Sequence, residues 1–220
     1  MDIIQGSPEW FAARCGKATA SKIADIIART KTGYGASRAN YEAQLVCERL
    51  TGTVAESFSN AAMQWGTEKE PEARNAYAFL RDADVEQVGF IDHFTIPMAG
   101  ASPDGVIGYD GLVEIKCPSS ATHIDTLLNQ TIPGKYITQI QWQLACTNRQ
   151  WCDFVSYDPR LPESMSLWVK RIDRDEVMIK SLENEVTIFL DGVTEAVAQL
   201  RKLYEPSHEG ARLVSLLRAG

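Results

Sequence analysis

A mixed α/β fold, with a central mixed sheet flanked by helices, is what the sequence predicts. Three observations predict it. A chain of 220 residues suits one sizeable core and hence a single domain over 1–220. Helical periodicity fills the first third, and short alternating runs bounded by turn formers follow. Helices and strands then alternate to the end, an order that packs helices against a sheet that is not purely parallel.

The elements follow in order. Ser7-Pro8-Glu9 is a helix start, a cap followed by Pro at the first helical position, and the helix ends near Gly16. Thr19 to Ala28 reads as a second helix with Ile23, Ile26 and Ile27 on one side. Lys31 to Arg38 is polar and carries Gly33 and Gly35, hence a loop. Tyr41 to Leu50 has helical period, with Gly52 as its stop. Asn60 to Arg81 is the longest helical stretch of this half, with a kink or break expected at Pro71. These helices make up a part spanning 7–82.

From 85 to 172 the texture is that of a sheet. Strands are expected at Val85–Ile91, Ile96–Ala99, Gly105–Ile107 and Leu112–Cys117, then helices at Ser120–Gln130 and Tyr136–Cys146. Strands Trp151–Tyr157 and Leu167–Ile172 follow. The last part, 174–220, opens with a long amphipathic helix from Asp175 to Tyr204 and ends in a tail whose apolar group Leu213, Val214, Leu216 and Leu217 reads as a docked terminal helix.

Composition narrows the functional classes. Hydrophobic residues make up 45% and charged residues 23%, an ordinary globular balance, and no apolar run is long enough to span a membrane. Met1 to Gly6 has neither a basic region nor an apolar stretch, so no signal peptide is expected and the cytoplasm is the expected compartment. The five cysteines are odd in number and include no Cys-x-x-Cys pair, which argues against a zinc knuckle, a disulfide framework or an iron–sulfur cluster. His93, His123 and His208 lack ligand spacing. The five tryptophans read as core residues. The net charge of −7 runs against a protein that holds DNA by charge alone. A DNA-binding role then requires locally focused basic residues or a topology that encircles the substrate.

The chemistry concentrates in Ser102-Pro103-Asp104-Gly105 and Val113-Glu114-Ile115-Lys116-Cys117. Pro103 and Gly105 set Asp104 at a bend. Glu114 and Lys116, two apart in an alternating run, share one side of a strand, while Val113, Ile115 and Cys117 bury the other. Pro118 ends that strand. Two carboxylates and an ammonium meeting at a strand end suit a hard cation with a proton-handling group beside it, the chemistry of metal-assisted phosphodiester hydrolysis. Glu70 is a third acid from a neighbouring helix. Gln139 and Gln143 share one helical face, placed to reach a phosphate oxygen or a nearby acid or, equally, to cap a sheet edge, while Gln141 points elsewhere. Arg14 with Thr19, Ala20 and Ser21 offers a guanidinium, hydroxyls and helix N-terminal amides, a phosphate cradle.

These residues resemble the PD-(D/E)xK nuclease superfamily and, within it, the lambda-type phage exonucleases or YqaJ-like viral recombinases. The resemblance is carried by Trp10 and Arg14, Thr19-Ala20-Ser21, Trp65-Gly66 with Glu70, Ser102-Pro103-Asp104-Gly105, Glu114-Ile115-Lys116-Cys117-Pro118, Gln139-Ile140-Gln141 and Tyr157-Asp158-Pro159-Arg160, in the family's order over residues 8–172.

The resemblance implies an exonuclease that digests one strand of linear double-stranded DNA from its 5′ end to mononucleotides, leaving a 3′ overhang. It implies two Mg²⁺ ions, replaceable by Mn²⁺, a ring-shaped homotrimer, a single-strand annealing protein as partner, and a phage or prophage origin. By position, Asp104 would bridge both metals, Glu114 and the Ile115 carbonyl would ligate one, and Glu70 would support the second. Lys116 would orient or deprotonate the attacking water, with Gln139 beside it. Arg14, Ser21 and Ser102, with Thr19 alongside, would hold the 5′-phosphate, and Lys31 and Arg38 occupy the loop where the family places a basic residue. The alternatives are a nicking or structure-specific endonuclease on the same core and a catalytically inactive DNA-binding accessory protein.

Overall fold

The computed structural model describes residues 4–55 and 61–205. Helix α1 (Pro8–Arg14) starts as its sequence dictates, with the Ser7 side chain accepting the Trp10 amide. Residues 18–27 depart from the expected single helix. Ala18–Thr19 form a short strand, β1, followed by a 3₁₀ turn over Ala20–Lys22 and a five-residue helix α2 (Ile23–Ile27). The reason is tertiary: β1 pairs in parallel with β6 (Ala99–Ala101), and Ala18 and Ala20 are buried against that sheet. Residues 29–34 form a hairpin, β2 (Arg29–Thr30) and β3 (Gly33–Tyr34), rather than a plain loop. Helix α3 (Ala36–Thr51) begins earlier than its period suggests and stops at Gly52 in the left-handed conformation. Helix α4 (Ala61–Arg81) runs unbroken through Pro71. The carbonyl that Pro71 leaves without its helical partner belongs to Thr67, and both residues line an open cavity rather than the core.

The remaining elements are β4 (Val85–Glu86), β5 (Ile91–Asp92), β7 (Gly105–Ile107), β8 (Gly111–Lys116), α5 (Ser120–Asn129), α6 (Gly134–Thr147), β9 (Trp151–Tyr157), α7 (Glu163–Ser166), β10 (Leu167–Asp173) and α8 (Glu176–Tyr204). Five strands build the main sheet in the order β10-β9-β8-β7-β4, and three build a smaller one, β1-β6-β5. The β8–β9 pair is parallel and the other pairs of the main sheet are antiparallel, so the sheet is mixed, as expected. The four-residue α7 was not foreseen. Asn60 and the tail beyond Glu205, with its apolar group, lie outside the described residues.

Strand β8 is buried on both faces, not one. Leu112 packs against Ile140 and Leu144 of α6 and Phe154 of β9. Val113 and Ile115 pack against Ala73 and Tyr77 of α4. As a central strand between two helical layers it leaves Glu114 no solvated side, and Glu114 is fully buried. A third core joins α2, α3, α6 and α8 through Ile23, Leu45, Trp142 and Phe189.

Candidate active site

Asp104, Glu114, Lys116 and Glu70 come together at the end of β8. Asp104 sits on the bend entering β7, where Gly105 is required: a Cβ there would lie 2.4 Å from Val85 Cγ1 and 3.0 Å from Val113 Cγ1. The Ile115 amide donates to Asp104 Oδ2 at 2.6 Å, tying the bend to β8. Glu114 Oε1 accepts from Lys116 Nζ and from Gln139 Nε2, the latter at 2.6 Å. Glu114 Oε2 accepts from Gln143 Nε2 at 2.6 Å. The two glutamines stand one turn apart on α6, the shared face their spacing predicts. Gln141 turns away, donating to the Asp173 carbonyl and accepting the Asp175 amide.

Glu70 reaches the group from α4 and pairs with Arg74. Burial raises its pKa; Arg74 and Lys116 oppose that, and Glu114 adds to it. Asp104 lies well above the usual carboxylate range, first through burial and then through Glu114, with Lys116 opposing and Glu70 contributing. Burial pulls the Lys116 ammonium down, but Glu114 and Asp104 outweigh it and leave its pKa above the ordinary lysine value. Three acids thus crowd one ammonium closely enough to feel one another.

Such oxygen donors, rich in negative charge, fit a hard divalent cation. Among the described residues no compact group of three or more Asp, Glu, His or Cys side chains is set around a single point. The acids are instead engaged by Lys116, Arg74, the two glutamines and the Ile115 amide. Ile115 meets Asp104 through its N–H.

A cavity of about 950 Å³ opens beside this cluster, lined by Arg14, Thr19, Ser21, Lys22 and Arg74, with Glu70 on its wall. The Arg14 guanidinium lies 3.8 Å from the centre of the Trp10 ring, four residues back on α1, and Trp10 Nε1 donates to Ser102 Oγ at 2.9 Å. Burial lowers the Arg14 pKa. Thr19 is buried, and its amide donates to Tyr41 Oη at 3.1 Å, whereas Ser21 is exposed; both line the cavity.

Arg38 and Lys31 stand apart from this pocket. Arg38 belongs to α3, not to a loop, and is buried: Nη1 donates to the Ile26 carbonyl at 2.8 Å, and the guanidinium lies over Tyr34 and Phe189. It holds α8 to the N-terminal helices. Lys31 is exposed at the β2–β3 turn and does not line the cavity.

Sequence reasoning placed Trp10 in the core; it is half-buried and joins Arg14 to Ser102. The signal available was its i, i+4 spacing to Arg14 on a capped helix. The role of Gln143 was left open by the sequence and is settled only by the register between α6 and β8. Of the histidines that were given no role, His93 stacks on Trp142 and accepts the Thr95 and Ile96 amides, and His123 bonds Ser156 in the core.

Fold and cluster together define a lambda-exonuclease-like α/β protein. The model of the YqaJ-like viral recombinase domain matches residues 9–150, and the chain belongs to that family. No curated protein matches it. Among solved structures it is similar to LHK-Exo in complex with dAMP, at 52% identity and a TM-score of 0.84, over 89% of this chain and 97% of that one. The alkaline exonuclease LHK-Exo from Laribacter hongkongensis matches again at 51% identity, with the same TM-score and coverage. A phage related exonuclease from Haemophilus somnus 129PT shares the fold at 15% identity, with a TM-score of 0.69 over 84% of this chain and 96% of that one. No helix among the described residues is long and apolar enough to cross a membrane.

Proposed function

We propose that this protein is a divalent-cation-dependent exonuclease that digests one strand of linear double-stranded DNA from a 5′-phosphorylated end and leaves a 3′ overhang for strand annealing. The observation that carries this reading is the position of Glu70. It lines the cavity that holds Arg14 and Ser21, and it interacts electrostatically with Asp104, Glu114 and Lys116. An anion-binding pocket and a cluster of acids that share a wall suit a substrate bound by its terminal phosphate and cut close by.

In this reading Asp104, Glu114, Glu70 and the Ile115 carbonyl hold two Mg²⁺ ions, with Mn²⁺ able to replace them. The cations, once bound, stabilise both the attacking and the leaving oxygen of an in-line displacement and lower the pKa of water. Without the cations, burial is outweighed by Glu114 and Asp104, which raise the Lys116 pKa. In this reading Lys116 would orient or deprotonate the attacking water and offset charge on the phosphate. Gln139, which donates to the same Glu114 oxygen as Lys116, would sit beside that water. Arg14, its plane set by Trp10, and Ser21 grip the terminal phosphate, with Ser102 supporting through Trp10. A ring-shaped homotrimer around the duplex lets a chain of net charge −7 stay on DNA without strong attraction. The product overhang is the substrate of a single-strand annealing protein, in the cytoplasm of a host that carries the phage or prophage. The similarity to LHK-Exo, solved with the mononucleotide dAMP, supports the reading.

The test is digestion of linear duplex with a 5′-phosphate or a 5′-hydroxyl end, alongside closed circular duplex, in Mg²⁺. The expected result is mononucleotide release from linear DNA alone, faster from the phosphorylated end. Nicking of the circle would replace this reading with the endonuclease, and no hydrolysis at all with the accessory protein.

A further inference from the structure

We infer that Gln143 is a positioning residue for the cation site, setting the Oε2 oxygen of Glu114; the inference rests on the function proposed above. Glu114 is an acceptor with two oxygens and about four lone-pair sites. This chain fills three of them: Lys116 and Gln139 donate to Oε1, and Gln143 donates to Oε2 at 2.6 Å. The acceptor site left over is on Oε2, so the oxygen with capacity for a cation is the one whose place Gln143 fixes. Gln139 stands nearer solvent. Gln143 is fully buried, one turn further along α6.

The other half of the Gln143 amide argues against a purely structural role. Its Oε1 is buried and has no hydrogen-bond partner in the described structure. A buried polar atom left unpaired is destabilising. The neighbouring core positions are Ile140, Leu144 and Leu112, so an apolar side chain at 143 would suit the packing, and the polar one is kept there by the carboxylate it serves. Gln143 places a donor on a catalytic carboxylate, and such outer contacts typically change metal affinity by 10- to 100-fold when removed.

The test compares the full-length wild type with Gln143→Met, which keeps side-chain length and removes both polar atoms. Four quantities are read: Mg²⁺ binding by calorimetry without DNA, the Mg²⁺ midpoint for digestion of linear duplex, the KM for DNA, and the thermal unfolding midpoint in EDTA. The expected result is Mg²⁺ binding weakened on the order of tenfold in both metal measurements. The KM for DNA stays unchanged, and the unfolding midpoint in EDTA falls, because Glu114 Oε2 loses its only donor among the described residues, while saturating Mg²⁺ restores activity. An unchanged Mg²⁺ midpoint overturns the inference. So does a fall in EDTA stability with activity lost equally at every Mg²⁺ concentration, the signature of a core residue. If Gln143→Met does not fold, Gln143→Asn, whose amide falls short of Glu114, is read in the same way; insoluble protein from both overturns the inference. Wild-type protein that neither binds Mg²⁺ nor cleaves DNA refutes the function itself, whereas an active wild type with an indifferent variant refutes only the role of Gln143.

Discussion

The Ile115 amide donates to Asp104 Oδ2 at 2.6 Å, eleven residues back along the chain. This one bond joins the bend before β7 to the middle of the Glu-x-Lys strand and fixes how Asp104 faces Glu114. It also depends on a neighbour with no side chain. Gly105→Ala would drive a Cβ into Val85 and Val113, both in the packed face beneath α4. Overpacking of this kind costs about 1–3 kcal/mol. Urea unfolding of the variant is expected to show a loss of that size, with nuclease activity falling further than the folded fraction does because the Asp104 bend moves.

Lys116 is held charged between Glu114 and Asp104, so its replacement tests charge and orientation together. Lys116→Ala is expected to lower the rate of linear-duplex digestion by about 10²- to 10⁴-fold, the usual worth of a positioned proton donor or acceptor. Binding of a DNA end, measured by fluorescence anisotropy in Ca²⁺, should stay near wild type. A variant that cuts at an undiminished rate would remove Lys116 from the chemistry.

Arg14 and Trp10 form the second half of the proposed site. The guanidinium lies over the indole, and the indole N–H is committed to Ser102. Arg14→Ala should therefore remove the preference for phosphorylated over hydroxyl ends, a loss of roughly 10- to 100-fold, as expected for a charge-assisted hydrogen bond. Trp10→Phe keeps the ring and loses only the Ser102 bond, so it should give a smaller loss in the same end-preference assay.

Local signals in the chain located most of the elements and half of the site. Ser7-Pro8, Gly52 and Asp175 each mark a helix end by a mechanism that acts within a few residues, and each marks one here. The same holds for the Asp104 bend and the Glu114-Ile115-Lys116 strand. What sequence reading misplaced depends on distant partners. Thr19 is a strand residue because Gly100 pairs beside it. Arg38 is buried because Phe189 and Glu185 of α8 enclose it, a contact that no local pattern announces. Glu114 is sealed from solvent because α6 crosses β8 in the register that puts Gln139 and Gln143 on its two oxygens.

Asp158 gives a stability prediction with a defined pH sign. Burial alone would raise its carboxyl, but hydrogen bonds from Arg160 and Ser120 overcome that and hold it at about 2, against an ordinary 3.8. A folded-state value below the unfolded one stabilises the protein fully above the unfolded pKa, and the stabilisation is lost as pH falls through the folded pKa. The shift corresponds to roughly 2 kcal/mol. Asp158→Asn should thus unfold more easily than wild type above about pH 4 and approach it near pH 2. Chemical denaturation at a series of pH values measures this, and a gap that widens towards acid would contradict it.

The acid cluster carries the opposite sign. Asp104 and Glu70 have folded pKa values raised above their ordinary ones, mainly by burial and then by the neighbouring carboxylates. A raised carboxyl stabilises the fold below its unfolded pKa, and that contribution is lost as pH rises through the folded value. Once pH has risen through the folded values, the cation-free site is therefore a source of strain in the fold, with more ionised acids around one ammonium. Divalent cations bind only the folded arrangement and should reverse this, by RT ln(1 + [L]/Kd). The unfolding temperature in EDTA is expected to fall between mildly acidic and alkaline pH, and Mg²⁺ should restore it most at the alkaline end. Asp104→Asn removes one of the competing charges while keeping the size of the side chain. It should be more stable than wild type in EDTA at pH 8, gain little from Mg²⁺, and cleave no DNA. A destabilised Asp104→Asn that still responds to Mg²⁺ would mean that Asp104 serves the fold rather than the cation.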